Sequence, residues 1–74
     1  MNVILPGLRA RRKAAGLTLQ GMAAELGCTR AAVSCWELGE TLPTADRLPE
    51  IARLLDCTID ELYKNYTENE EARP

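Results

Sequence analysis

The sequence predicts an all-α domain, and three observations lead there. Its β-branched aliphatic residues are confined to Val3, Ile4, Val33, Ile51 and Ile59, too few to build strands, which favour such side chains. Aromatic residues make up only 4% of the chain, and no stretch alternates apolar and polar residues as a half-buried strand does. Gly16, Gly27, Gly39 and Pro43 cut the chain into pieces of helical length. With 74 residues there is room for a single core.

Each element has a start and a stop. Pro6 suits the first turn of a helix, where its missing N–H is not needed, and Gly16 ends that helix after about residue 15. Thr18 is a good N-cap for a second helix over 19–26, which Gly27 ends in the left-handed conformation. Thr29 caps a third over 30–38, ended by Gly39. Thr44 can cap a fourth segment reaching Leu55. Pro49 interrupts it, because its ring would meet the carbonyl of Ala45 in a continuous helix. A tight turn is therefore expected at 45–48, with a regular helix only from Pro49. Thr58 then caps a short fifth helix over 59–64, whose positive N-terminal end suits Asp60 and Glu61. Residues 1–66 form the expected domain, and 67–74 (TENEEARP) an acidic tail expected to fray. The strings LGCT and LLDCT read as one helix-turn-cap solution used twice.

One apolar face per helix supplies the core: Leu8, Leu17, Met22, Ala23, Leu26, Val33, Trp36, Leu48, Ile51, Ala52, Leu55, Ile59 and Leu62. Trp36 is the largest piece and is expected to be half buried.

Composition removes several function classes. The chain is 46% hydrophobic and 27% charged, ordinary globular values. No apolar run approaches the roughly 20 residues that a membrane helix needs, and no signal peptide is evident. Three cysteines (Cys28, Cys35, Cys57) and no histidine offer neither a C-x-x-C pair nor a zinc ligand set. No metal and no cofactor are expected. An odd cysteine count fits a reducing, cytoplasmic setting, with Cys28 and Cys57 as small buried hydrophobes. With no G-x-S-x-G, no phosphate loop and no Cys/His or paired-carboxylate constellation, an enzyme is not expected. Nine basic and eleven acidic residues give a net charge of −2, which as a single number counts against a polyanionic partner.

The informative stretch is 18–38. Two short helices joined by Gly27-Cys28-Thr29 form the pattern of a helix-turn-helix. Gly27 permits a sharp turn, and Ala23 is small where the two helices approach. Cys28 and Val33 close the wedge between them, and Thr29 caps the second helix so that its N-terminal end can face a ligand.

From Leu8 to Leu62 the chain resembles the DNA-binding domain of the lambda-repressor-like, Cro/repressor-type (XRE-type) transcriptional regulators. The matching residues are Leu8, Arg12, Gly16-Leu17-Thr18, Met22-Ala23, Leu26-Gly27-Cys28-Thr29, Val33-Ser34, Trp36-Glu37, Gly39, Pro43, Leu48, Ile51-Ala52, Leu55 and Ile59-Asp60-Glu61-Leu62. The resemblance implies a compact five-helix domain whose third helix enters the DNA major groove. Members usually bind palindromic double-stranded operators as homodimers. It also implies a structural ion pair between Arg12 and Glu37, in preference to a phosphate contact by Arg12.

Carried over residue by residue, the base-facing positions are Arg30, Ala31, Ser34 and Cys35. An arginine at position 30 can make a bidentate contact with guanine O6 and N7, and Ala31 can meet a thymine methyl. Ser34 can donate to a base or to a phosphate. Cys35 is either a neutral small surface residue or a thiol whose oxidation would block the groove. Phosphates fall to the N-terminal ends of the second and third helices, at Thr18, Gln20, Gly21 and Thr29. Gly21 costs up to about 1 kcal/mol in a helix interior, which close approach of DNA could offset. Two departures bear on affinity: Leu19 stands where the family commonly has a phosphate-contacting Gln, and Leu38 and Glu40 replace its common Asn and Lys.

The expectation is a sequence-specific DNA-binding transcriptional regulator, a repressor rather than an activator. It is either a small stand-alone regulator or the DNA-binding part of a larger one, with no membrane partner and no small-molecule ligand evident. Its dimer interface would use the fifth helix, with Tyr63 and Tyr66. The alternative is a helix-turn-helix used for protein partners, antitoxin-like or phage-derived, with weak or no specific DNA binding. The thin set of phosphate contacts and the acidic C-terminal half support that rival. Residues 9–13 (RARRK) also admit a membrane-surface reading, but their helix lacks a wide apolar face. The charge objection divides along the chain. Residues 1–38 carry five basic and two acidic residues, a balance of +3, and residues 39–74 carry four and nine, a balance of −5. The half that holds the helix-turn-helix is positive.

Overall fold

Five helices follow one another in the computed structural model, which describes residues 4–65. They are α1 (Pro6–Ala14), α2 (Leu19–Leu26), α3 (Arg30–Leu38), α4 (Arg47–Leu54) and α5 (Ile59–Leu62), with no strand among the described residues. The all-α expectation holds, and α2 and α3 take the bounds read from their caps.

One terminating device recurs. After α2, the Gly27 N–H donates to the Ala24 carbonyl and the Cys28 N–H to that of Ala23, at 3.3 and 2.9 Å. Gly27 adopts φ 71° to allow it, so the last carbonyls are satisfied inside the turn. The same pair of bonds closes α4, from Asp56 to Arg53 and from Cys57 to Ala52, at 3.3 and 2.9 Å. There a non-glycine residue, Asp56, takes φ 55°. LGCT and LLDCT are thus one motif in space as well as in sequence, each followed by a threonine cap. The Thr29 hydroxyl accepts from the Ala32 N–H at 3.1 Å, and that of Thr58 from the Glu61 N–H at 3.2 Å. In return the Thr58 N–H donates to the Glu61 carboxylate at 2.8 Å, completing a capping box.

Four expectations need correction. The fourth helix starts at Arg47, before Pro49 rather than at it. Pro49 is only the third residue of α4, and Ala45 lies outside the helix, so no bond is lost and no carbonyl is clashed with. The turn ahead of it exists nonetheless: the Thr44 carbonyl accepts from the N–H groups of Arg47 and Leu48, at 3.0 and 3.3 Å. The fifth helix stops at Leu62 rather than at 64, where Tyr63 and Lys64 donate only three residues back. Trp36 is 6% exposed rather than half buried, and Ile59, placed in the core by its pattern, is 36% exposed. As the first residue of α5, Ile59 precedes the face that Leu62 buries.

The core gathers Leu5, Leu8, Met22, Ala23, Val33, Trp36, Ile51, Ala52, Leu55 and Leu62. Leu17, Leu26, Cys28, Leu48 and Cys57 pack around it half buried. Leu5, ahead of the first helix, is buried although nothing in its local pattern marks it. α3 rests on α2 and α1, while α5 rests on α1 and α4. The α1–α5 approach depends on Gly7, where a methyl group would lie 2.5 Å from the Lys64 carbonyl oxygen and 2.8 Å from that of Glu61. Tyr66 and the acidic tail lie outside the described residues.

Candidate nucleic-acid interface

α3 is divided lengthwise by the burial of Val33 and Trp36. At 100° per residue, those two point inward, and Arg30, Ala31, Ser34, Cys35 and Leu38 share the opposite side. Arg30 and Ala31 are exposed, and Ser34 and Cys35 half buried. The four positions assigned to bases therefore lie together on one outward face, with the helix N-terminus at its leading end.

Thr18, Gln20 and Thr29 are exposed and Gly21 is half buried. These four belong to the N-terminal ends of α2 and α3, where the free N–H groups of a first turn attract anions. The Thr18 and Thr29 hydroxyls are already engaged as acceptors, from Gly21 at 2.9 Å and Ala32 at 3.1 Å. Each can still donate outward. Gly21 has an intramolecular reason as well: a methyl group there would sit 3.1 Å from the Thr18 hydroxyl and crowd the cap.

Two arginines hold this unit in place. Arg12, 7% exposed, donates from Nε to Glu37 Oε2 at 2.6 Å and from Nη2 to Oε1 at 3.3 Å. Its Nη1 donates to the Leu17 carbonyl at 2.7 Å. One side chain thus joins α1, the segment entering α2, and the last turn of α3 through a bidentate pair. Arg47 does the equivalent from the other side, donating from Nη1 to the Leu26 carbonyl at the end of α2 at 2.6 Å. Sequence reasoning missed Arg47. Its partner is a backbone carbonyl in another element, a contact that leaves no local pattern.

The Cys35 thiol donates a hydrogen bond to the Glu40 carboxylate, which with some desolvation and that residue's negative charge raises its pKa above the ordinary value. Glu40 is brought there by the turn after α3, its N–H donating to the Cys35 carbonyl at 2.9 Å.

Among the described residues, no group of three or more His, Cys, Asp or Glu side chains is placed to hold a metal ion. No helix among them is long and apolar enough to cross a membrane. A groove of about 400 Å³ between α2 and α4 is lined by Glu25, Leu26, Glu50, Arg53 and Leu54. It contains none of the residues assigned to DNA.

Residues 8–62 match the family model described as Helix-turn-helix. The chain is 42% identical over 57 residues to an uncharacterized HTH-type transcriptional regulator, YqaE, of Bacillus subtilis (strain 168), covering 77% of this chain and 49% of that protein. It is 35% identical over 66 residues to repressor protein C2 of Salmonella phage P22, covering 86% of this chain and 31% of the repressor. With the cryptic phage CTXphi transcriptional repressor RstR of Vibrio cholerae it shares 38% over 63 residues, covering 85% and 56%. The chain thus spans between about a third and just over half the length of these relatives. The crystal structure of the P22 c2 repressor with synthetic operator 9T superposes with a TM-score of 0.77 at 29% identity, covering 89% of this chain and all of that one. A buried arginine–glutamate clamp, a glycine turn between two capped helices and a matching family model agree: the chain belongs to the helix-turn-helix family, of the Cro/repressor (XRE) type.

Proposed function

We propose that the chain is a sequence-specific DNA-binding transcriptional repressor, acting as a homodimer on a palindromic operator in the cytoplasm, with α3 in the major groove. The observation that carries this reading is the outward face of α3. Arg30 and Ala31, exposed, and Ser34 and Cys35, half buried, lie together there on a helix braced from behind by Val33, Trp36 and the Arg12–Glu37 pair. The likeness to a repressor crystallised with its operator supports it.

In this reading Arg30 reads guanine and Ala31 meets a thymine methyl. Thr18, Gln20, Gly21 and Thr29 hold the backbone at the two helix N-termini, fixing register without reading sequence. Tyr63 and Ile59, exposed on and beside α5, provide apolar surface for a second copy. The domain comprises residues 1–66, with the acidic stretch 67–74 outside it.

Selection from a random DNA pool at two salt concentrations tests the proposal. Enrichment of a palindrome, with affinity that falls as salt rises, is the expected result. Arg30→Ala then costs about 1–3 kcal/mol and relaxes one base position. A uniform loss across sequences would reassign Arg30 to phosphate, and no enrichment even at low salt would refute the DNA-binding role.

A further inference from the structure

The outward face of α3 ends beside an acid. Gly39 turns the chain at φ 82°, and the N–H groups of Glu40 and Thr41 both donate to the Cys35 carbonyl, at 2.9 and 3.5 Å. Those two bonds fold the turn back over the end of α3, so Glu40 lies beside Cys35, one of the four positions on that face. The Glu40 carboxylate accepts from the Cys35 thiol, which holds it on the side of the helix that carries Arg30, Ala31 and Ser34. A thiol takes one lone pair of a carboxylate and none of its charge. Glu40 is exposed and forms no ion pair among the described residues. Glu37, in the last turn of the same helix, differs, because Arg12 cancels its charge at 2.6 Å.

We infer that Glu40 limits the affinity of this face for DNA of any sequence, by holding an uncompensated carboxylate beside the approaching phosphate backbone. The inference rests on the proposed DNA-binding role and adds to it a residue that acts against binding. A duplex laid on α3 brings one negative charge for about every 1.7 Å of its axis and sheds counterions as the complex forms. The carboxylate therefore gains no cation and meets phosphates at close range. Phosphates carry no sequence information, so the penalty falls on every duplex alike. A carboxylate can instead accept from the amino group of cytosine. Glu40 stands ten positions beyond Arg30, at the opposite end of α3 from the N-terminal residues that reach base edges in such helices, which directs it to the backbone. Electrostatic attraction supplies essentially all non-specific binding. Subtracting from it leaves the base contacts of Arg30 and Ala31 to decide where the chain settles.

The test uses the full chain and two duplexes, one that the wild-type protein enriches from a random pool and one of unrelated sequence, at about 50 and about 200 mM salt. Glu40→Gln is expected to bind both about twofold more tightly per protomer at the lower salt, the effect of one pair of like charges about 8 Å apart in water. The gain is expected to shrink at the higher salt, which screens the repulsion, and the enriched sequence to stay the same. Glu25→Gln makes the same change in net charge at an exposed position of the α2–α4 groove and is expected to change affinity by much less. Placement is read without DNA, by alkylating the chain with iodoacetamide at about pH 8 and mapping the modified peptides by mass. Cys35 is expected to react faster in Glu40→Gln, because its thiolate then forms more readily. Equal gains for the two variants, no gain for Glu40→Gln, or a changed preference at one base pair, as a cytosine contact gives, overturns the inference while leaving DNA binding intact. An unchanged rate at Cys35 overturns it too, by removing the carboxylate from that face. Failure of the wild-type chain to enrich any duplex at low salt removes both the inference and the DNA-binding role. Glu25 and Glu40 lie outside the core, so melting temperatures within a few degrees of wild type are expected for both variants.

Discussion

Removing the Glu37 carboxylate tests what holds the outward face of α3 in place. Glu37→Ala takes away both acceptors of the Arg12 fork, at 2.6 and 3.3 Å, and leaves only the bond from Nη1 to the Leu17 carbonyl. The two side chains are 8% and 7% exposed, so water cannot replace the lost partner without opening the core. Breaking such a pair by removing one member costs about 3–5 kcal/mol, and the surviving Leu17 bond argues for the lower end. A domain of 74 residues has about 4–11 kcal/mol to lose. A loss near 3 kcal/mol corresponds to a fall of about 12 °C or more in melting temperature at this size. Urea denaturation followed by far-UV circular dichroism measures it, in a double-mutant cycle with Arg12→Met. Each single substitution is expected to be severe, and the double to cost less than their sum by about 1–3 kcal/mol, as contacting residues do. Additive effects, with Glu37→Ala costing under about 1 kcal/mol as an exposed pair would, refute the clamp.

Three further outcomes follow from the packing. Gly7→Ala is expected to cost about 1–3 kcal/mol, since the obstructing atoms are backbone carbonyls of α5 and of Lys64 just after it; an unchanged urea midpoint would show that α1 and α5 are not in close contact. Asp56→Gly relieves the one non-glycine residue at positive φ among those described. It should raise stability by a few tenths to about 1 kcal/mol, read as a higher melting temperature, and a lower one would mean that the Asp56 side chain supports the turn. Glu61 has its pKa lowered by the hydrogen bond from the Thr58 N–H, with help from Arg11 and Lys64. Its folded value lies below the ordinary 4.5, so its contribution is complete above that value and is lost as pH falls through the folded one. Glu61→Gln is expected to flatten the acid limb of a stability–pH profile below about pH 4.5, and an unchanged limb would place the acid sensitivity elsewhere.

What could be read from the chain was whatever is decided locally. Thr18, Thr29 and Thr58 announce helix starts because a hydroxyl three residues ahead of a free N–H is a sequence-local arrangement. Gly16, Gly27 and Gly39 announce ends for the same reason. The outward face of α3 followed from its period and from Val33 and Trp36, aided by a family resemblance. What could not be read was set by neighbours distant in sequence. Leu5 is buried by packing that no periodicity encodes, and Arg47 reaches a carbonyl 21 positions away. Pro49 misled because its effect depends on whether Ala45 is already helical, which is settled by the turn at Thr44. Gly7 carries no motif at all, and its importance appears only when α5 is laid against it.

The negative net charge takes a different meaning once the ion pairs are in place. Arg12 is committed to Glu37 at 2.6 Å and Arg11 to Glu61 at 3.5 Å, so the basic run on α1 offers fewer mobile charges than its composition implies. Arg9 and Lys13 remain there, with Arg30 on α3, none of them in an ion pair among the described residues. The acids of α4 and α5, Glu50, Asp60 and Glu61, sit on helices that pack against α1, α2 and one another rather than against α3. A phosphate backbone approaching the α3 face would therefore meet a small set of uncommitted cations, opposed there by Glu40 beside Cys35. Electrostatic attraction reaches only about 8–10 Å at physiological salt, which makes the local set more important than the total. Few cations also mean few phosphates neutralised, and hence a shallow salt slope and weak binding to arbitrary sequence. In the proposed role, base contacts from Arg30 and Ala31 would then account for a larger share of operator affinity than in a strongly basic regulator, and pairing two copies on a palindrome would double both terms.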